Sequence, residues 1–240
     1  MFLLFKMATL LMMGSTISSP LLEQTSTDKP TAHVHRVLHG FGVNVDTRLT
    51  IGDDADIGDQ ALERLSCQLH TIAMLVPVDR LARLRQVTIW LDLTNGDLHS
   101  PQYHPSADWL LQHGYDTAMA RCVHIPDAHY FVNAKFQREQ PFAILHELAH
   151  SYHDQVLGFD DAAIMAAYEK FKQSGKYNSV LHISGKMLPH YALTDNKEFF
   201  AEMTETYFGA NDFYPFNSAE LGRDEPDLFK LMAGIWGPLP

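Results

Sequence analysis

Two histidines and a glutamate at fixed spacing, His146-Glu147-Leu148-Ala149-His150, constrain this chain of 240 residues more than any other feature. The stretch around them, Gln140 to Gly158, carries helix punctuation. Pro141 suits a first turn, where its missing N–H would have no partner anyway, and Gly158 suits the position just past an end. The spacing predicts a helix of about four turns between them. Residues four apart stand one above the other on a helix, so both imidazoles can reach one metal ion, while Glu147 leans toward a water held on that ion. That geometry suits metal-assisted hydrolysis. The chain holds 14 histidines, so the structural alternative is a pair of core or surface histidines that share this spacing by chance.

A catalytic zinc takes three protein ligands and leaves a fourth position to water, so two histidines are incomplete. The third is not supplied by a continuation of the motif. A histidine-ending or aspartate-ending class needs Gly where this chain has His153, and its ligand where this chain has Val156. The remaining common arrangement draws a glutamate from a separate downstream helix. The stretch His190-Tyr191-Ala192-Leu193-Thr194-Asp195-Asn196-Lys197-Glu198-Phe199-Phe200-Ala201-Glu202 offers Glu198. Asp195 with Glu198 also reads as a capping box, which would turn the Glu198 carboxylate back onto the backbone. Phe199, Phe200, Met203 and Tyr207 read as core, Glu202 and Glu205 fit a solvated face, and His153 is expected to one side of the metal.

The combination of HELAH, Tyr191 and KEFFAE resembles the lethal-factor-like branch of the glutamate-ligand zinc metallopeptidases, the gluzincins. The resemblance is specific at these motifs and spans Tyr103 to Leu221. It implies that Glu198, which opens EFFAE, ligates zinc beside His146 and His150. It further implies that Glu202, which closes EFFAE, buttresses a ligand histidine, and that Tyr191 faces the metal. Substrate does not transfer with it.

Elsewhere the chain reads as one globular unit. Residues 1–18 look like a cleavable signal peptide, with Lys6 as the single charge and an apolar core from Met7 to Met13, and residues 19–30 look like a flexible lead-in. Residues 31–240 are the expected catalytic domain. A net charge of -11 argues against nucleic acid or an anionic membrane surface as the main partner. Cys67 and Cys122 allow one disulfide in an exported chain.

Thr31 to Asp46 predicts one or two strands, with His33, His35 and His39 on one side. Ile57, Ala61, Leu65, Leu69, Ile72 and Val76 recur at helical spacing until Pro77, and Val87 to Leu93 alternates as a strand. Ser106 suits the cap of a short helix closed at Gly114. Cys122 to Ile125 and Tyr130 to Val132 are extended runs, one of them expected as an edge strand beside the cleft. Ser174 to Leu188 reads as an overhanging loop and Asp224 to Trp236 as a terminal helix.

The fold expected is α+β, a zincin-like metallopeptidase with a small N-terminal sheet and a mostly helical C-terminal half. The function expected is that of an exported Zn2+-dependent metallopeptidase acting on a peptide or protein, with Glu147 and Tyr191 catalytic, His146, His150 and Glu198 on the metal, and Glu202 behind a ligand. The alternatives are a non-catalytic exported binding or toxin-like module on a degenerate peptidase fold, or a zinc amidase acting on cell-wall peptides. No membrane span is expected in the mature chain.

Overall fold

The computed structural model describes residues 29–240, so the expected signal peptide and nearly all of the expected lead-in lie outside the described residues. The chain opens on a hairpin of β1 (His33–Leu38) and β2 (Phe41–Asp46), turned at His39 and Gly40, both at positive φ. Glycine is favoured at the second position, where φ is 87°, a conformation that L side chains rarely adopt. The long helix α1 (Ala55–Leu75) follows the expected stripe, burying Ala61, Leu65, Leu69 and Ile72 in the same core as Val43, Val45 and Ile89 of the sheet. Gly58 lets it approach, since a Cβ there would lie 1.9 Å from the Leu49 carbonyl oxygen.

After α2 (Val78–Leu84), strand β3 (Ile89–Leu91) is shorter than the seven residues expected and buried on both faces. Ile89 and Leu91 join the main core, while Trp90 packs on the other face with Leu110 and Met119. Both sides of this central strand are apolar because helices and turns cover each of them.

The two-residue β4 (Gln102–Tyr103) precedes α3 (Ala107–Gln112), whose Ser106 cap accepts the Trp109 amide. Then come β5 (Val123–Ile125), α4 (Ala128–Val132) and α5 (Ala134–Glu139). The sheet order is β1-β2-β3-β5-β4, with β2, β3 and β5 parallel and the two outer strands antiparallel to their neighbours.

The edge-strand expectation is therefore corrected twice. Val123–Ile125 lies inside the sheet, and Tyr130 to Val132 is helical, because the Asp127 carboxylate caps the turn by accepting the Tyr130 amide. The edge is β4, too short to show any periodicity in sequence.

The motif helix α6 (Ala143–Tyr152) begins after Pro141 rather than on it, and continues as a π turn over His153–Leu157 that ends at Gly158 with φ 88°. It is followed by α7 (Ala162–Gln173) and a small hairpin of β6 (Val180–Leu181) and β7 (Met187–Leu188), which replaces the expected open loop. The Tyr214 amide donates to the Leu181 carbonyl and the Ile183 amide to the Asp212 carbonyl, fixing that hairpin to the segment after α8 (Asn196–Phe208).

The chain closes with α9 (Ser218–Asp224) and α10 (Pro226–Trp236), the latter burying Trp236 fully with its indole N–H on Thr204 Oγ1. The architecture is a mixed α+β one with a small N-terminal sheet. Among the described residues, no helix is long and apolar enough to cross a membrane. Cys67 and Cys122 are free thiols: Cys67 is exposed on α1, and Cys122 Sγ turns toward the Ala118 and Ala120 carbonyls.

Candidate metal centre

Helix α6 packs on α8, and both are buried over most of their surface. Gln68 of α1 holds the start of α6 by accepting the Ile144 amide on Oε1 at 3.1 Å, in place of an ordinary cap. The start of α8 is held by Asp195, whose Oδ1 accepts the Lys197 and Glu198 amides at 2.8 and 2.9 Å. The capping oxygen is thus Asp195's own. The Glu198 carboxylate points elsewhere, with Oε2 3.1 Å from His146 Nε2 and 3.5 Å from His150 Nε2. One donor atom each from His146, His150 and Glu198 falls within 4.8 Å of the others. The Glu198 carboxylate thus faces the two histidines and not the backbone at the start of α8.

Behind His146 stands Glu205, whose Oε1 lies 2.6 Å from Nδ1. A carboxylate there makes Nδ1 the donor, so Nε2 keeps its lone pair for a cation, the usual way a ligand imidazole is oriented. Glu205 is only 1 % exposed, so the expectation of a solvated face is wrong for it. Glu202 is also buried, but its carboxylate is 3.9 Å from His146 Nδ1 and 3.8 Å from His190 Nδ1, and it takes a bond from Asn211 Nδ2 at 3.1 Å. The short contact to His146 Nδ1 is made by Glu205, which the resemblance did not single out, and Glu202 stands beside it at 3.9 Å. Both lie on the stripe of Glu198, four and seven residues on, and only the rotation of α8 against α6 chooses between them.

Burial works against a charged His146, yet its bonds to Glu198 and Glu205 outweigh that and hold it well above the ordinary histidine range. Burial likewise opposes ionisation of Glu198, but the facing His150 and His146 keep its carboxyl well below the usual range. A divalent cation at Nε2 would displace the proton there and leave His146 neutral, with its Nδ1–H on Glu205.

Glu147 is outside the donor set. Its Oε2 accepts the Tyr103 amide of β4 at 2.6 Å, and burial pushes its pKa up, with the neighbouring His150 and His146 pulling the other way. Tyr191 stands on a 3-10 turn, Tyr191–Leu193, just ahead of α8. Burial first, then the Glu198 carboxylate, raises its pKa, so its hydroxyl keeps its proton as a donor, and Glu198, His146 and Glu147 are all within its electrostatic reach.

His153 is fully buried in the π turn, its ring 5.2 Å from that of Phe159 and 4.9 Å from that of Phe200, and it joins no donor group. His33 and His35 share a strand face, bonding Asp92 and Asn44, but His39 leaves it for Ser66, so the three do not gather. The strand ends at Leu38, and the turn redirects His39.

Two imidazole nitrogens and one carboxylate oxygen form a donor set that could hold a divalent metal ion, with Glu205 placed to orient His146. Two residues escaped sequence reasoning, Glu205 and Tyr103. The stripe position of Glu205 was visible, whereas nothing local marked the Tyr103 amide. No family model, curated protein or solved structure matches this chain.

Proposed function

We propose that this protein is a zinc-dependent hydrolase of peptide bonds with a zincin-like catalytic domain. His146, His150 and Glu198 would hold the metal, and the observation that carries this is the meeting of their three donor atoms at the α6–α8 contact, with Glu147 beside them outside the donor group. Zinc held there supplies Lewis acidity and makes water acidic near neutral pH. Glu147 takes a proton from the attacking water and passes it to the leaving amine. Tyr191 donates its hydroxyl hydrogen to the oxygen of the substrate carbonyl as negative charge develops there. Edge strand β4 borders the site, with its Tyr103 amide on Glu147.

A non-catalytic module would use Glu147 only for its bond to the Tyr103 amide. With the signal-like residues 1–18, the proposal is an exported enzyme. The test is zinc content followed by digestion of a mixed peptide library with and without chelator. About one zinc per chain and chelator-sensitive cleavage are expected, and Glu147→Gln should abolish turnover with zinc retained. Undiminished cleavage by metal-free protein overturns the proposal. Cleavage confined to cell-wall peptides would make the enzyme an amidase of that class.

A further inference from the structure

Tyr103 joins three parts of the molecule. Its amide, on edge strand β4, donates to Glu147 Oε2 at 2.6 Å, and its phenol donates to Asp154 Oδ2 at 2.6 Å. Asp154 follows Glu147 by seven residues, two turns further along the same face, so one side of α6 and its π turn meets β4 twice. Gln155 completes the contact, its Nε2 donating to the phenol oxygen at 3.0 Å and to the Arg121 carbonyl at 3.1 Å. Arg121 is itself at a left-handed φ of 62°, its amide donates to the His104 carbonyl at 2.6 Å, and its Nε lies 3.7 Å from Asp154. The adjacent residues Asp154 and Gln155 both reach one hydroxyl from the wide π turn, a distortion that occurs frequently at functional sites.

None of these side chains takes part in the proposed hydrolysis. We infer that Tyr103 is a positioning residue: its phenol, clamped by Asp154 and Gln155, fixes β4 against α6 so that its own amide holds Glu147 in one orientation. A glutamate side chain has three rotatable bonds, and a base must point at its proton to act. With Oε2 engaged by the amide, Oε1 is the oxygen left to take the proton. The inference rests on the reading of Glu147 as the general base.

The clamp is tested with Tyr103→Phe, which removes the hydroxyl, Asp154→Ala, which removes its acceptor, and Asp154→Asn, whose amide oxygen still accepts. Tyr103→Phe and Asp154→Ala should each lower kcat about tenfold with zinc still stoichiometric. KM should change less than about twofold, because the loss falls on the chemical step. The double variant should be no worse than either single, and Asp154→Asn should recover most of the rate. Unchanged kcat in both singles, or a raised KM at constant kcat, overturns the inference.

A readout independent of turnover uses metal-free protein. The amide proton resonance of residue 103 should move upfield in Glu147→Gln, as its bond to a carboxylate weakens, and should move the same way in Tyr103→Phe. If no peptide is cleaved by the wild-type protein, the proposed function fails, and the amide still decides the clamp: an unshifted resonance in Tyr103→Phe overturns it.

Discussion

Two clusters of histidine and carboxylate differ in one respect that decides what each can do. Across the sheet, His104 Nε2 meets His124 Nδ1 at 3.1 Å, His124 Nε2 meets Asp92 at 2.9 Å, and His33 and Asn95 bond the same carboxylate at 2.7 and 2.6 Å. Each group there is matched to a neighbour along a line, and both Asp92 oxygens are taken. Between α6 and α8 the donors converge instead: among the described residues, the only groups of three that could share an ion both contain His146. The same residue types thus give a saturated structural network in one place and a candidate metal centre in the other. Convergence of donors, rather than abundance of histidine, separates them.

The most severe test of that contrast pairs His150→Ala with Asp92→Ala. The first should abolish stoichiometric zinc binding while the fold survives. The second should leave zinc content unchanged yet cost about 3–5 kcal/mol of stability, because it strands buried partners of a carboxylate. Zinc analysis and denaturant melts read both, and loss of zinc in folded Asp92→Ala would erase the distinction.

Within the metal cluster, Tyr191→Phe should lower kcat by about a hundredfold with a smaller change in KM, as loss of one donor to a developing oxyanion does. Steady-state kinetics at full zinc occupancy measures it. Unchanged kinetics would demote the phenol to packing.

Smaller again is the effect of the residues behind the proposed ligands. Glu205→Gln should weaken zinc binding by about tenfold to a hundredfold, since it removes the charge that orients His146, and Glu202→Gln should weaken it less. Competition with a chelating indicator ranks them. The family resemblance alone gives the opposite order, so this measurement sets the geometry directly against it.

The slightest effect concerns the sheet cluster and acid. Burial would raise the Asp92 carboxyl, but His124, His33 and Asn95 hold it down from 3.8 to about 2. A carboxyl depressed by folding stabilises above its unfolded value and loses that contribution as pH falls through its folded one. About 2 kcal/mol should therefore disappear as pH falls from near 4 to near 2, at 1.36 kcal/mol per pH unit. Stability measured against pH in wild type and in Asp92→Asn should show the decline in the first and a flatter course in the second.

Spacing along one helix was enough to place His146 over His150, to bring Glu147 beside them, and to make Asp195 the cap of α8, because a helix fixes the relation of residues three and four apart wherever it packs. The stripe of α1 was equally plain, since one continuous apolar face repeats over twenty-one residues. Local sequence carries less where an element is short or buried on every side. Strand β4 has two residues and no period, and Tyr130 to Val132 looks extended until Asp127 caps it into a helix. From Phe199 to Phe208 every residue of α8 is buried, so no polar face marks its orientation. Whether Glu202 or Glu205 meets His146, and whether a tyrosine amide forty-four residues upstream meets Glu147, are set by how helix and strand dock. Those long-range bonds depend on rotation and distance between elements, which only the packed core fixes.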